Sequence, residues 1–152
     1  MISVTVARAL HDEGLAWSPR RGDRFIVRDK DMDDDVFVLS DMTIEVHSFP
    51  SGPVIGFNGT TEWALDSLDQ DAAMWLPTED QLRGLLGASF VRLEAGLVVG
   101  SDGPAEQHTV VVADATGEQT FTAETAEDAY GIALLAQLRA FGVAAGLTDP
   151  AE

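Results

Sequence analysis

The chain has 152 residues, with 26 acidic against 9 basic side chains, a formal net charge of −17 and no cysteine. That length is enough for one domain with its own core, and the missing thiols exclude cysteine nucleophiles, cysteine-ligated zinc, iron–sulfur clusters and disulfides. The negative field repels nucleic-acid phosphates and anionic headgroups, so the expected partner is another protein or a second copy of the chain, with no nucleic acid and no membrane insertion.

In chain order, Ser3 to Glu13 reads as an amphipathic helix: Ser3 caps it, Val6 and Leu10 repeat at four, and Gly14 is the left-handed stop. The opening stretch lacks the basic and long apolar segments of a leader, and no run approaches the roughly 18 apolar residues of a membrane span, so the expected location is the cytoplasm. Two β-rich runs follow, Phe25 to Val27 and Val36 to Ser40, flanking an acidic tip with aspartates at 29, 31, 33, 34 and 35. Met42, Ile44 and Val46 alternate with Thr43, Glu45 and His47, the pattern of a half-exposed strand. "FPSGPVIGF" turns through Pro50 to Pro53 into a short strand. Thr60 or Thr61 is expected to cap a helix carrying Trp63, Ala64, Leu65 and Leu68, and Thr78 with Gln81 has capping-box form ahead of Leu82, Leu85 and Leu86.

From Ser89 the period returns to two in "SFVRLEAGLVVGS", "HTVVVAD" and "EQTFTAE", the last two joined by a turn in which Gly117 takes a positive φ. The final helix, Thr125 to Phe141, opens with Thr125 as cap and with Glu127 and Asp128 in its first turn, where their charge suits the helix dipole. Its only polar residues after Asp128 are Gln137 and Arg139, so its apolar stripe is wider than one sheet face requires. Burial between sheet and first helix, or an interface through Leu135, would cover it.

The aspartate cluster invites a calcium reading, which an EF-hand register does not support. Counting from Asp29 puts Asp34 at the glycine place and Ser40 at the bidentate glutamate place; counting from Asp31 puts Val36 and Met42 there. A weak divalent-cation site at Asp31 to Asp35 stands as an alternative to a hydrated tip that resists edge pairing. His11, His47 and His108 are too far apart in sequence for HxH, HxxxH or HExxH, and no GxSxG elbow, P-loop or GxGxxG is present. No cofactor and no catalytic residue is therefore expected. Glu45 and His47 share a strand face and form a candidate acid–base or ligand site together with Asn58 and Glu62 of "GFNGTTEW", a strand-to-helix turn whose amides point outward. Trp17, Trp63 and Trp75 are candidates for stacking on an extended partner, against the alternative of buried anchors.

"ALHDEGLAWSPRRGDRFIV", "DMDDDVFVLSDMTIEVHSFPSGPVIGFNGTTEWALDS" and "WLPTEDQLRGLLG" together resemble a group of short acidic actinobacterial proteins of unknown function, some of them called pilus assembly proteins of the CpaE type. The resemblance covers about the first 87 residues closely and the rest loosely. Proteins properly of that type resemble ParA and MinD ATPases, whose phosphate loop and lysine are missing here, so the resemblance implies no catalytic residues. The order helix, three strands, helix from Thr78 to Gly142 is also similar to a double-stranded-RNA-binding domain. The place where such a domain presents lysines reads Thr125, Ala126, Glu127, Asp128 here, so charge argues against RNA.

The reading is an α+β fold: a single domain over residues 1–146, a mainly antiparallel sheet of about six or seven strands, a long buried C-terminal helix, and a mobile tail over 147–152. The expected function is a non-enzymatic protein-interaction or adaptor module with dimerisation as one form of it; the alternative is a small ligand-binding protein or enzyme with its site near His47 and Glu62.

Overall fold

A computed structural model describes residues 1–27, 35–39, 45–49, 52–56, 67–69 and 72–148; for 45–49, 52–56, 67–69 and 143–148 the description covers the backbone. In chain order the elements are α1 (Val4–Asp12), β1 (Arg24–Val27), β2 (Phe37–Val38), β3 (Glu45–Phe49), β4 (Gly52–Gly56), β5 (Ser67–Asp69), β6 (Ala73–Leu76), α2 (Glu79–Leu86), β7 (Phe90–Gly100), β8 (Gly103–Asp114), β9 (Gly117–Ala123) and α3 (Ala126–Thr148). The fold is α+β. Among the described residues the strands, expected in one sheet of six or seven, form instead three antiparallel sheets of three strands each, in the orders β2-β1-β6, β3-β4-β5 and β7-β8-β9. The chain forms two compact units, one of Met1–Leu15 with Pro77–Glu152 and one of Ala16–Leu76.

In the unit of residues 16–76, β1 is central and pairs with β6 so that Phe25 faces Trp75 and Ile26 faces Met74. Both faces of this small sheet are covered: Phe25 and Val27 on one side and Ile26 and Met74 on the other are all 3% exposed or less. Trp17, Phe37 and Ala72 pack against the Phe25 face. Among the described residues the one buried acid, Asp23, accepts from the Trp17 indole N–H and the Arg20 backbone N–H, both at 2.9 Å, which satisfies a carboxylate that burial would otherwise make costly. The second sheet is a hairpin, β3 with β4, extended by β5. Leu68, expected on a helix, lies in β5 opposite Ile55, because the free edge of β4 supplies a strand's hydrogen bonds there.

The other unit holds α1, α2 and α3. Ser3 Oγ accepts from the Val6 N–H at 3.3 Å, and the Ser3 N–H itself donates to Asp128 Oδ1 at 2.7 Å, tying the start of α1 to the start of α3. Gln81 Oε1 accepts from the Thr78 N–H at 3.0 Å, the reciprocal arm of the expected capping box. After a single 3-10 turn over Gly87–Ser89 the chain enters the β7-β8-β9 meander, and the β8–β9 turn has Gly117 at φ +125° as its sequence requires. Asp114 Oδ1 accepts from the Thr116 N–H at 2.7 Å inside that turn. The Thr116 hydroxyl and then its N–H hold the Asp114 carboxyl below its ordinary pKa.

Helix α3 lies on this sheet, with the Phe90 and Tyr130 rings 5.6 Å apart and the Arg83 guanidinium 4.6 Å above Phe90. Among the residues whose side chains are described, its buried ones, Ala129 and Ala133 at 0% and Leu134 at 4% among them, fall in its first ten positions, whereas Phe141 is 73% exposed. The helix continues past the expected end at Phe141 to Thr148. At Gly131 it crosses α1: a Cβ there would stand 2.5 Å from Val6 Cγ1 and 3.3 Å from Ile2 Cδ1, so only glycine permits the approach. Residues 149–152, most of the expected tail, lie outside the described residues.

Candidate interaction site

The β7–β8 hairpin is longer than its neighbour β9. Strand β9 pairs with β8 only from His108 to Asp114, but β7 and β8 remain paired through Gly96↔Gln107, Leu97↔Glu106, Val98↔Ala105, Val99↔Pro104 and Gly100↔Gly103. These five pairs form a two-stranded arm that extends about 17 Å beyond the third strand at the usual rise per residue. Its sequence explains why it holds as β-structure: Val98 and Val99 are β-branched, and the two-residue loop Ser101-Asp102 between glycines closes it tightly.

Water meets aliphatic side chains along that arm. Leu97 is 73% exposed, Val98 45% and Val99 81%. Leu97 and Val99 stand at even spacing from Leu93, whose partner Val110 is fully buried, so they continue the helix-bearing face of the sheet beyond the helices. Strand β7 is an outer strand of the sheet, as is β9, and among the described elements its far edge pairs with nothing. From Ala95 to Ser101 it carries no charge, the protection that exposed edges ordinarily have. Just before that stretch Arg92 donates to Glu94 Oε1 at 2.7 Å and lies 3.7 Å from Glu118. The hydrogen bond to Glu94, with the charges of both acids, raises the Arg92 pKa above its ordinary value.

At the opposite end of the same sheet lies a groove of about 600 Å³, lined by Leu85, Ala88, Phe121, Ala136 and Phe141 among others. Two of its polar side chains are engaged with each other: Gln137 Nε2 donates to Ser89 Oγ, and Ser89 Oγ donates to the Leu86 carbonyl at 2.7 Å. The alanines of α3 set its width, since a helix face of small side chains leaves space beside the sheet.

The structure redistributes the residues singled out from sequence. Leu135, a candidate contact, is 9% exposed, which accords with the reading of the last helix as buried. Trp17 and Trp75 stack at 6.3 Å with planes 9° apart, and Trp17 also meets Phe25 at 5.8 Å, so these indoles serve as packing for their own unit. Among the described residues the Trp75 indole N–H has no acceptor. Glu45 and His47 stand two apart on β3, on one strand face, where only the backbone is described. Asn58, Glu62 and Trp63 lie outside the described residues, as do Asp31 to Asp34; Asp35 is exposed. Among the described residues no group of three or more His, Asp or Glu side chains could hold a metal ion. No helix there is long and apolar enough to cross a membrane.

Alternation taken as one face in and one face out does not reveal the arm. The signal lies in "AGLVVG": a strand apolar on both faces and free of charge has no side that prefers water. Comparison of the chain with protein-family models, with curated proteins and with solved structures gives no match.

Proposed function

We propose that the chain is a non-enzymatic protein-interaction module of the cytoplasm and that the β7–β8 arm is its docking element. One observation carries this reading: Leu97, Val98 and Val99 are held in water on a projecting ribbon. Fully burying a side chain of this kind contributes about 1.5–3 kcal/mol, so a partner that covers the three gains several kcal/mol from the arm. A two-stranded ribbon is also marginal by itself and gains order once a third strand or an apolar surface covers it. The acidic start of α3, at Glu127 and Asp128, and the net charge of −17 favour a protein over a nucleic acid as that partner.

Co-purification from the native host with the wild-type chain and with L97D/V99D tests it. The expected result is a stoichiometric species, either another protein or further copies of the chain, that the variant loses while its circular dichroism is unchanged. Identical profiles for the two chains would refute the assignment to the arm.

A second reading is supported by the groove at the other end of the sheet, whose volume and apolar lining suit a small hydrophobic ligand. An environment-sensitive apolar dye would bind there, and Ala136→Trp would abolish that binding by filling the space. Equal dye binding by both chains would remove this reading.

A further inference from the structure

We infer that the occupant of the arm is a second copy of this chain, joined edge to edge through β7 about a two-fold axis; this rests on the interaction reading above and names its partner. Edge strands pair through main-chain groups, and an antiparallel pair of identical strands always closes on itself. What selects self-pairing is the charge pattern along the edge. Arg92 and Glu94 are opposite in sign and two residues apart on β7, with Leu93 between them. When two copies of β7 run antiparallel with Leu93 on the axis, Arg92 of each faces Glu94 of the other. The pattern is then complementary to itself at two symmetric positions. For a chain of net charge −17 this matters, since most other faces of two copies repel.

The same register disposes of the arm. Four residues beyond Leu93 is Leu97, and four before it is Ser89; six beyond is Val99, and six before it is Gly87. To within the single-residue bulge between Phe90 and Arg92, Leu97 and Val99 of one copy therefore lie beside the 3-10 turn Gly87–Ser89 of the other. A two-fold perpendicular to the sheet keeps both helix-bearing faces on the same side. Leu97 and Val99, which stand on that side, come against the rim of the other copy's groove, where Leu85 is 43% exposed and Ala88 and Ser89 form the wall. Arm and groove sit at opposite ends of one sheet, so an antiparallel pair brings each arm to the other copy's groove. The assembly closes as a dimer with a continuous six-stranded sheet and leaves neither arm over.

Sedimentation equilibrium and light scattering on the full chain test this. The wild-type chain is expected to be a dimer. L97D/V99D should be a monomer with unchanged circular dichroism, since neither side chain is part of the core. R92E places glutamate opposite glutamate at both symmetric positions and should raise the dimer dissociation constant about tenfold, given the usual worth of cross-strand charge pairs. R92E/E94R restores the opposite-sign pairing and should return the constant to near its original value. A chain that is monomeric at every concentration, a dimer indifferent to L97D/V99D, or a double charge swap no tighter than R92E overturns the proposal. If the wild type is monomeric but its arm variant loses a different protein, self-pairing falls and the interaction reading stands; if the arm variant changes neither assembly nor capture, both fall.

Discussion

Gly131→Ala tests the contact that joins the two ends of the chain. A Cβ at that position would lie 2.5 Å from Val6 Cγ1, about 1 Å or more inside the 3.5–4.0 Å at which carbon atoms rest. Val6 cannot easily turn aside, because a β-branched residue in a helix has one strongly preferred rotamer. Nor can α1 readily retreat as a body, since Ile2 and Leu10 on either side of Val6 are each 1% exposed. Overpacking of this kind costs about 1–3 kcal/mol. The better helix propensity of alanine returns about 1 kcal/mol. The expected net loss is therefore about 1 kcal/mol, and up to about 2 if α1 holds its place. Urea unfolding followed by far-ultraviolet circular dichroism reads this, as α1, α2 and α3 belong to one unit. Tryptophan fluorescence reports on the other unit, as Trp17, Trp63 and Trp75 all fall within residues 16–76. In the double variant V6A/G131A the clashing methyl is gone, so the two changes should be less costly together than their sum by about 1 kcal/mol. A stabilised Gly131→Ala, as an open helix position would give, or strict additivity with Val6→Ala, would show that the crossing is looser than described.

The same two probes serve further predictions. Asp23→Ala strands the Trp17 indole N–H and the Arg20 N–H and is expected to cost about 2–4 kcal/mol in the fluorescence-detected transition. Trp17→Phe should cost at least about 1 kcal/mol more than Trp75→Phe, because only the first indole donates to an acceptor among the described residues; equal losses would mean the hydrogen bond to Asp23 contributes nothing net. Asp114 has its pKa lowered by the Thr116 hydroxyl and N–H, so its folded value lies below its unfolded one. Its contribution is present in full above the unfolded carboxylate pKa and is lost as pH falls through the folded one, so Asp114→Ala should be less stable than the parent at neutral pH and equal to it at strongly acid pH. A stability difference that stays constant across that range would remove Asp114 as its source.

Local chemistry is legible in the order of residues alone. Ser3 with Val6, Thr78 with Gln81, Thr125 ahead of Glu127 and Asp128, and Gly117 in its turn each act over three residues or fewer, and each appears where its sequence places it. What is not legible is everything that depends on a distant partner. β6 is a four-residue apolar run, too short for periodicity to identify, and is a strand because Trp75 finds Phe25 fifty positions away (75 − 25). Leu68 has the spacing of a helical residue and is a strand residue because β4 offers an edge. Leu135 has the place of a contact residue in an over-wide stripe and is buried, while Leu97 and Val99 lie in a stretch apolar on both faces, as a covered strand would be, and are bare. Amino-acid order sets what each residue can do with its near neighbours. Whether an apolar face is covered depends on which element arrives opposite it.

By itself, then, the amino-acid order determined the α+β character, the net charge of −17, and the caps and turns that start and stop the helices and the last hairpin. Tertiary structure alone decided that the described strands divide among three sheets, that α1 returns to Gly131, and that β9 stops short of the end of β7 and β8. That last difference leaves the aliphatic arm in water. Caps and turns are satisfied by groups already adjacent along the chain, whereas strand pairing and the covering of apolar surface are satisfied only by groups brought from far away, or from another molecule.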